Sequence, residues 1–204
     1  MNFTVNFKIL TIIFSLFLCF PFAASYASDA KCKITDKLCV MAEIKGTASM
    51  VEKQSWRDQA YRELAKSYTY EGYEYKAIAL IADIITQDTK AMTIRGIGMA
   101  AADSDWKDRE RYNKLFKQLT VTADKIEHAP SRAIAYTYIA MSQAFAKDDD
   151  GAMTTAKSMK NDALRNKAFG ESAEIQAERG DFDAAMASIR EIVRLSFRNN
   201  AFGT

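Results

Sequence analysis

The chain has 204 residues, of which 49% are apolar, and its 28 lysines and arginines nearly balance its 26 aspartates and glutamates. This composition is typical of a globular protein, and the scarcity of glycine and proline favours helix over sheet. The near-neutral balance excludes the strongly basic character of nucleic-acid binders. We therefore expect a helical protein with no nucleic-acid partner.

The N-terminal segment has the pattern of an export signal. Lys8 precedes an apolar run over residues 9–22, and the small residues Ser25 and Ala27 follow it two positions apart. This run is about 14 residues long, whereas a helix needs roughly 20 to span a membrane. We expect residues 1–27 to be a signal peptide, which predicts a periplasmic or secreted protein of the bacterial envelope with no stable membrane insertion. A signal that stays uncut and tethers the protein is the alternative.

Two cysteines remain after such a cut, Cys32 and Cys39. An even number of cysteines in an oxidising compartment predicts a disulfide. Their spacing does not match that of zinc ligands, and no histidine lies nearby. We expect residues 28–56 to form a capping segment, in which the disulfide pins the start of a helix over residues 36–53.

A basic residue recurs at a fixed interval. Arg132, Arg165 and Arg198 lie 33 residues apart, and earlier copies begin at Arg57 and Lys90. A repeat of this length is one helix-turn-helix unit that buries its apolar face against its neighbours. We expect the repeated arginines to bond helix ends or turn aspartates. The predicted copies cover residues 57–89, 90–131, 132–164 and 165–197, with a partial copy over residues 198–204.

The second copy is longer than the others, because nine extra residues separate Lys90 from Arg132. We expect one long helix over residues 107–127, ended by Pro130 because proline resists helix continuation. His128 would then cap the C-terminus of that helix. In the third copy we expect a first helix over residues 133–146, followed by a turn over residues 148–151.

Several positions in these copies resemble the tetratricopeptide repeat, in which an aromatic residue, a Leu-Gly pair, a tyrosine and a small alanine recur. The aromatic residues here are Tyr61, Tyr136 and Phe169, the pairs are Leu64-Ala65, Ile97-Gly98 and Ile139-Ala140, and the small alanines are Ala77, Ala152 and Ala185. The tyrosine is kept only at Tyr68. The resemblance implies an all-α superhelix, a solenoid of about four repeats with an N-terminal capping helix. A helical-hairpin solenoid of another family is the alternative.

The remaining chain offers no set of residues for catalysis. His128 is the one histidine, no free cysteine remains after the cut, and no nucleophile-elbow motif is present. The acidic residues 148–150 suggest a calcium loop, but Lys157 occupies the place of the bidentate glutamate. We expect no catalytic residue, no metal and no cofactor. An enzyme or small-molecule binder that uses the groove is the less favoured alternative.

The predicted partner-binding residues face outward from the first helix of each copy. First helices line the concave surface of a solenoid, and these residues lie opposite the packing stripe. They are Arg62, Lys66, Tyr70, Arg95, Met99, Thr137, Met141, Phe145, Lys167 and Glu174. The basic residues suit a peptide carboxylate, as in carboxylate-clamp relatives of the family, and the methionines suit an adaptable apolar floor. We therefore expect a protein or peptide partner.

Residues 198–203 nearly copy residues 165–170. We expect this stub to be a short terminal turn that packs on the last helix. Self-association through this C-terminal edge is the alternative, because a started repeat exposes apolar surface that needs cover.

Overall fold

The computed structural model describes residues 32–104 and 108–203, and these residues form ten α-helices and no strand. The helices are α1 (Lys37–Ser49), α2 (Gln54–Tyr70), α3 (Glu74–Asp83), α4 (Gln87–Asp103), α5 (Arg109–Asp124), α6 (Ala129–Phe145), α7 (Asp149–Ser158), α8 (Asp162–Glu178), α9 (Phe182–Arg190) and α10 (Leu195–Phe202). The predicted all-α class is confirmed. The predicted signal peptide, residues 1–27, lies outside the described residues.

Long and short helices alternate along the chain. The long helices α2, α4, α6 and α8 have 17 residues each, whereas α3, α7 and α9 have nine or ten. Each long helix packs against the next long helix, and α10 packs against α8. The short helices α3, α7 and α9 each pack on the long helix that precedes them, while α5 contacts α4, α6 and α3. The long helices therefore form one continuous layer.

The N-terminal helix is held at its start. The predicted disulfide between Cys32 and Cys39 is confirmed, and Asp36 accepts a hydrogen bond from the Cys39 backbone N–H at 3.0 Å as the N-cap of α1. Helix α1 packs on α2. It is shorter than predicted and ends at Ser49, because Lys53 is already the extended N-cap of α2.

Three turns between a long and a short helix share one geometry. The φ angle is positive at Gly72, Lys147 and Gly180, with values of 78°, 60° and 83°. In each turn the N–H of the following residue donates to the carbonyl five positions before it, at 2.8 to 2.9 Å. Asp148 and Asp181 then cap the next helix by accepting from the N–H three positions later. Residues 148–151 thus form the end of the inter-helix turn and the first turn of α7.

The repeated arginines bond the ends of the helices before them, as predicted. Each donates to the carbonyl of the residue six positions earlier, one or two residues after the preceding helix (α1, α5, α7 or α9) ends. The bonds are Arg57 to Val51 at 3.1 Å, Arg132 to Ile126 at 2.9 Å, Arg165 to Met159 at 3.1 Å, and Arg198 to Ile192 at 2.6 and 2.9 Å. Within the described ranges, Lys90 makes no such bond.

Four predictions around the junction of the second and third copies are wrong. Helix α5 ends at Asp124 and not at residue 127, while Lys107, its predicted first residue, lies outside the described part of the chain. Pro130 does not end this helix; it lies in the first turn of α6. Backbone N–H groups in the first turn have no acceptor within the helix, so the lack of an N–H in proline removes no helical hydrogen bond there. Helix α6 therefore begins at Ala129, four residues earlier than predicted, and His128 is its N-cap.

Small residues allow the helices to approach closely. Ala65, Ala140 and Ala173 are at most 2% exposed, and Gly98 lies against Ser142 of α6. Buried apolar side chains form one cluster from α1 to α6 and three smaller clusters in the C-terminal half. Among the aromatic residues of the repeats, Tyr61 and Phe169 are buried. Tyr136 is partly exposed and donates its hydroxyl to Asp124 at 2.7 Å.

Candidate partner-binding face

The long helices present a row of exposed or half-exposed side chains at equivalent positions, which we call the long-helix face. It contains Arg62, Lys66, Tyr70, Met92, Arg95, Met99, Asp103, Tyr138, Phe145, Lys167, Glu171, Glu174 and Glu178. Eight of the ten predicted partner-binding residues belong to it; the exceptions are Thr137 and Met141.

Contacts between helices make this face continuous from α2 to α6. The Arg62 guanidinium lies 3.9 Å from the Met92 sulfur, and the Tyr70 hydroxyl donates to Asp103 at 3.1 Å. The Arg95 guanidinium lies over the Tyr138 ring, 5.4 Å from its centroid. These contacts fix the orientations of charged and aromatic side chains across two helix junctions.

Tyr70 is a hydroxyl donor at the edge of the face. Partial burial and the hydrogen bond to Asp103 raise the pKa of Tyr70 above its ordinary value. The Tyr70 hydroxyl is therefore protonated at neutral pH and donates a hydrogen bond to the Asp103 carboxylate.

The predicted outward orientation of Thr137 and Met141 is wrong. Thr137 is 2% exposed and donates to the carbonyls of Ala133 and Leu164 at 3.3 and 3.5 Å, while Met141 is 9% exposed and packs with Ile175 of α8. The adjacent helix α8 covers this side of α6. A short threonine side chain does not reach past that neighbour, whereas arginines at the equivalent positions of α2 and α4 do.

One end of the face carries cations without carboxylate partners. Lys66 and Arg95 are exposed, and in the described part of the chain neither forms an ion pair. Lys66 lies 5.9 Å from the centroid of the Tyr70 ring. Arg62 differs, because its guanidinium pairs with the neighbouring Glu63 at 2.7 Å. Lys66 and Arg95 are therefore available to the acidic groups of a partner at this end of the face.

The opposite end of the face is acidic. On α8, Lys167 lies 3.8 Å from Glu171, one turn later. Glu174 and Glu178 follow on the same side of the helix, exposed and without a lysine or arginine partner among the described residues. The charge along the face thus changes sign between α4 and α8.

The middle of the face is apolar. Phe145 at the end of α6 is 43% exposed, and Met92 on α4 is 39% exposed. Met99 and Tyr138 are half-exposed between them. Exposed aromatic and thioether side chains offer apolar contact area to a partner, and the flexible methionines can adapt to its shape.

Cavities open beside several of these helices. One of about 150 Å³ opens between α8 and α10 beside Glu171 and Glu174, and one of about 350 Å³ between α1 and α2 has Tyr70 in its wall. A larger cavity of about 450 Å³ lies where α5, α6, α7 and α8 meet, away from the face. Its wall includes Tyr136, whose pKa rises to about 12 through burial and its bond to Asp124.

The one histidine belongs to a hydrogen-bonded cluster at the start of α6. His128 Nδ1 lies 2.6 Å from the Ser131 hydroxyl, which donates to Asp88 of α4. Ser131 is 0% exposed, so its hydroxyl is out of reach of a substrate. The cluster connects the N-termini of α4 and α6, and no reacting group of a serine enzyme is available in it.

Metal-ligand clusters and membrane-spanning helices are both absent from the described part of the chain. No group of three or more histidine, cysteine, aspartate or glutamate side chains in residues 32–104 and 108–203 is arranged to hold a metal ion. In the same ranges, no helix has the length and apolar character needed to cross a bilayer.

Sequence reasoning missed several residues of the face. Tyr138, Asp103 and Glu171 were not predicted, although each occupies a position that an exposed residue holds in another copy. The wall of the small cavity that α10 contributes, with Phe197 and Asn200, was also missed.

The comparisons with known proteins found no relative. No protein-family model matches the chain, and neither a curated protein nor a solved structure matches it.

Proposed function

We propose that the protein is a non-catalytic scaffold that binds a segment of another protein along the long-helix face. The observation that carries this proposal is the polarity of the face: unpaired Lys66 and Arg95 lie at one end and unpaired Glu174 and Glu178 at the other. Phe145 is exposed between them. Arginine, methionine and aromatic side chains are enriched in protein interfaces.

A tetratricopeptide-like superhelix is the proposed architecture behind this face. The four 17-residue helices, the three turns with positive φ and the arginine bonds that recur every 33 residues support it. A stack of such hairpins makes an extended concave surface from its first helices. Here those helices are α2, α4, α6 and α8, which carry the face.

Export to the bacterial periplasm or the exterior is the proposed location. The signal pattern in residues 1–27 supports it, and so does the Cys32–Cys39 disulfide, because disulfides persist in oxidising compartments. Mass spectrometry of the protein isolated from its native host tests this. A mature chain that starts at Ser28 supports release, whereas retention of residues 1–27 supports a membrane-tethered component.

A charge reversal on the face tests the binding proposal. The double variant Lys66→Glu/Arg95→Glu places acidic groups where the two unpaired cations stand. Purified wild-type and variant proteins are immobilised and exposed to an envelope extract of the native host, and bound proteins are identified by mass spectrometry. We expect the variant to lose partners that the wild type retains, because like charges across an interface are repulsive.

The matched control is Lys114→Glu/Lys117→Glu on the exposed side of α5. It makes the same change in net charge away from the face. We expect it to retain the wild-type partners. If both variants lose the same partners, the effect is one of net charge, and if neither loses any, the long-helix face is not the binding surface.

A further inference from the structure

The acidic end of the long-helix face contains a small cavity of about 150 Å³ between α8 and α10. Its wall includes Glu171, Glu174, Phe197 and Asn200. Gly170 leaves it open, because a Cβ atom at this position would meet no atom within 4 Å. The cavity is therefore lined by an aromatic residue as well as by two acidic residues.

The wall of this cavity also contains Lys167, so the chain provides one cation beside the two glutamates. Lys167 shares Glu171 at a distance of 3.8 Å, which is longer than a direct charge-assisted hydrogen bond. Glu174 has no cationic partner among the residues that the structure describes. An incoming ammonium group beside Glu174 would gain a charge-assisted hydrogen bond, while its aliphatic stem would contact Phe197.

We propose that this cavity receives a basic side chain, with lysine as the simplest case, from the segment that binds the long-helix face. The proposal rests on the partner-binding function and specifies the chemistry of its ligand. Acidic residues of the same segment then lie at the opposite end, beside Lys66 and Arg95, and apolar residues lie over Phe145. The partner segment is therefore acidic at one end, apolar in its middle and basic at the other.

The distance between the two ends sets the length of the segment. Packed helices lie about 8–10 Å apart, so α2 and α8, three helix positions apart, are separated by about 24–30 Å. An extended chain advances about 3.3–3.6 Å per residue. About seven to nine residues therefore span the face, and a decapeptide is long enough to reach both ends.

Synthetic decapeptides test the inference. The probe carries two aspartates at one end, phenylalanine and leucine in the middle and one lysine at the other end. It is labelled with fluorescein and made in both chain directions. A matched probe carries acetyl-lysine, which keeps the stem and removes the charge. Fluorescence anisotropy measures the affinity of each probe.

The critical variant is Gly170→Leu, which fills the cavity without changing the charge of the protein. It lies inside α8, where leucine is a better helix former than glycine, so the fold is retained. Gly170→Ala, which adds only a methyl group, is its control. The variant Glu174→Gln removes the unpaired carboxylate and leaves the cavity open.

We expect acetylation of the lysine to weaken binding to the wild type and to Gly170→Ala by about tenfold. In Gly170→Leu the lysine probe should bind about as weakly as the acetyl-lysine probe, and acetylation should have no further effect. Glu174→Gln should reduce the effect of acetylation. An equal effect of acetylation in the wild type and in Gly170→Leu overturns the inference, and so does the absence of probe binding by the wild type.

Failure of this inference and failure of the proposed function are distinguishable. If partners from the envelope extract are lost by Lys66→Glu/Arg95→Glu but retained by Gly170→Leu, the face binds partners, and the proposal that the cavity receives a basic side chain is wrong. If no partner depends on Lys66 and Arg95, the proposed function itself is wrong.

Discussion

A Cβ atom at Gly98 would lie 2.8 Å from the Cβ of Ser142, which faces it from the neighbouring helix. It would also lie 2.6 Å from the Ser142 hydroxyl oxygen. Carbon atoms that are not bonded to each other do not approach so closely without strain. The long helices α4 and α6 therefore pack so closely at this point that only glycine fits at position 98 without strain.

Gly98→Ala is expected to destabilise the protein by about 1–2 kcal/mol. Overpacking costs about 1–3 kcal/mol, and the better helix propensity of alanine offsets about 0.5–1 kcal/mol of this cost. The free energy of unfolding from urea titration measures the change. The second-site change Ser142→Gly should restore part of the loss, since it removes both close atoms.

Gly96→Ala is the control on the same helix. A Cβ atom at Gly96 would meet only the Cβ of Lys66, at 3.9 Å, which is an ordinary contact. The variant should gain about 0.5–1 kcal/mol from helix propensity. Equal effects at Gly96 and Gly98 would show that the close approach of α4 and α6 is not present in solution.

Lys147→Gly is expected to stabilise the protein by about 0.5–1 kcal/mol. Lys147 has a φ of 60°, a left-handed conformation that glycine adopts without steric cost, and glycine holds the equivalent places at 72 and 180. The exchange removes a strained backbone at an exposed position. Thermal and urea unfolding of the variant and the wild type measure the gain.

The reverse exchange, Gly180→Lys, should cost about the same amount. A side chain at Gly180 would meet nothing within 4 Å, so the loss reports the backbone conformation alone. A Lys147→Gly variant that is less stable than the wild type would contradict the shared geometry of these turns.

Arg165→Met is expected to destabilise the protein by about 1–2 kcal/mol. The substitution removes the hydrogen bond to the carbonyl of Met159, which lies at the end of α7. Arg165→Lys should lose a similar amount, because Lys90 at the equivalent position makes no such bond in the described residues. Urea unfolding of both variants checks this expectation.

Arg165 also pairs with Asp162 at 2.8 Å, so the ion pair needs its own control. Asp162→Asn removes the charge of a side chain that is 69% exposed, and exposed ion pairs contribute little. We expect a change of less than about 0.5 kcal/mol. A loss as large as that of Arg165→Met would assign the effect to the ion pair and not to the carbonyl bond.

Acid is expected to weaken the junction between α3 and α5. The Arg111 guanidinium donates to both carboxylate oxygens of Glu74, at 2.6 and 2.8 Å, and holds the pKa of Glu74 below its ordinary value. Because the pKa is lower in the folded state, this stabilisation is present above the unfolded pKa. It is lost as the pH falls through the folded pKa.

Glu74→Gln should therefore lower the free energy of unfolding at pH 7 by about 1 kcal/mol, after allowance for solvent screening of the partly exposed pair. The difference from the wild type should shrink below about pH 4.5, where Glu74 is protonated in the unfolded chain. Urea titrations between pH 7 and pH 3 measure it. A constant deficit of Glu74→Gln at every pH would contradict the ion-pair account.

The register of the chain could be predicted because it rests on strong local signals. Arg57, Arg132, Arg165 and Arg198 repeat a bond that needs only a fixed distance along the sequence to a helix end. The disulfide was predicted from the even number of cysteines that remain after export, and their spacing only argued against a zinc site. Both features involve residues close in sequence, which is why they could be identified without knowledge of the fold.

The extent of exposure could not be predicted in the same way. Helical phase gives the side of α6 on which Thr137 lies, but not how closely α8 packs against that side. The burial of Thr137 against α8 therefore depends on tertiary packing. Pro130 was misassigned because proline is compatible both with the segment after a helix and with the first turn of the next. The small cavity depends on α10 approaching α8, a tertiary contact that periodicity does not specify.

Site-specific photo-crosslinking tests the central claim most directly. A photoreactive amino acid replaces Phe145, which is 43% exposed on the long-helix face, or Val121, which is 50% exposed on α5. The two proteins are made in the native host and irradiated, and crosslinked products are separated and identified. We predict a specific partner adduct from position 145 and none from position 121. Adducts from position 121 alone, or the same adducts from both positions, would contradict binding through the long-helix face.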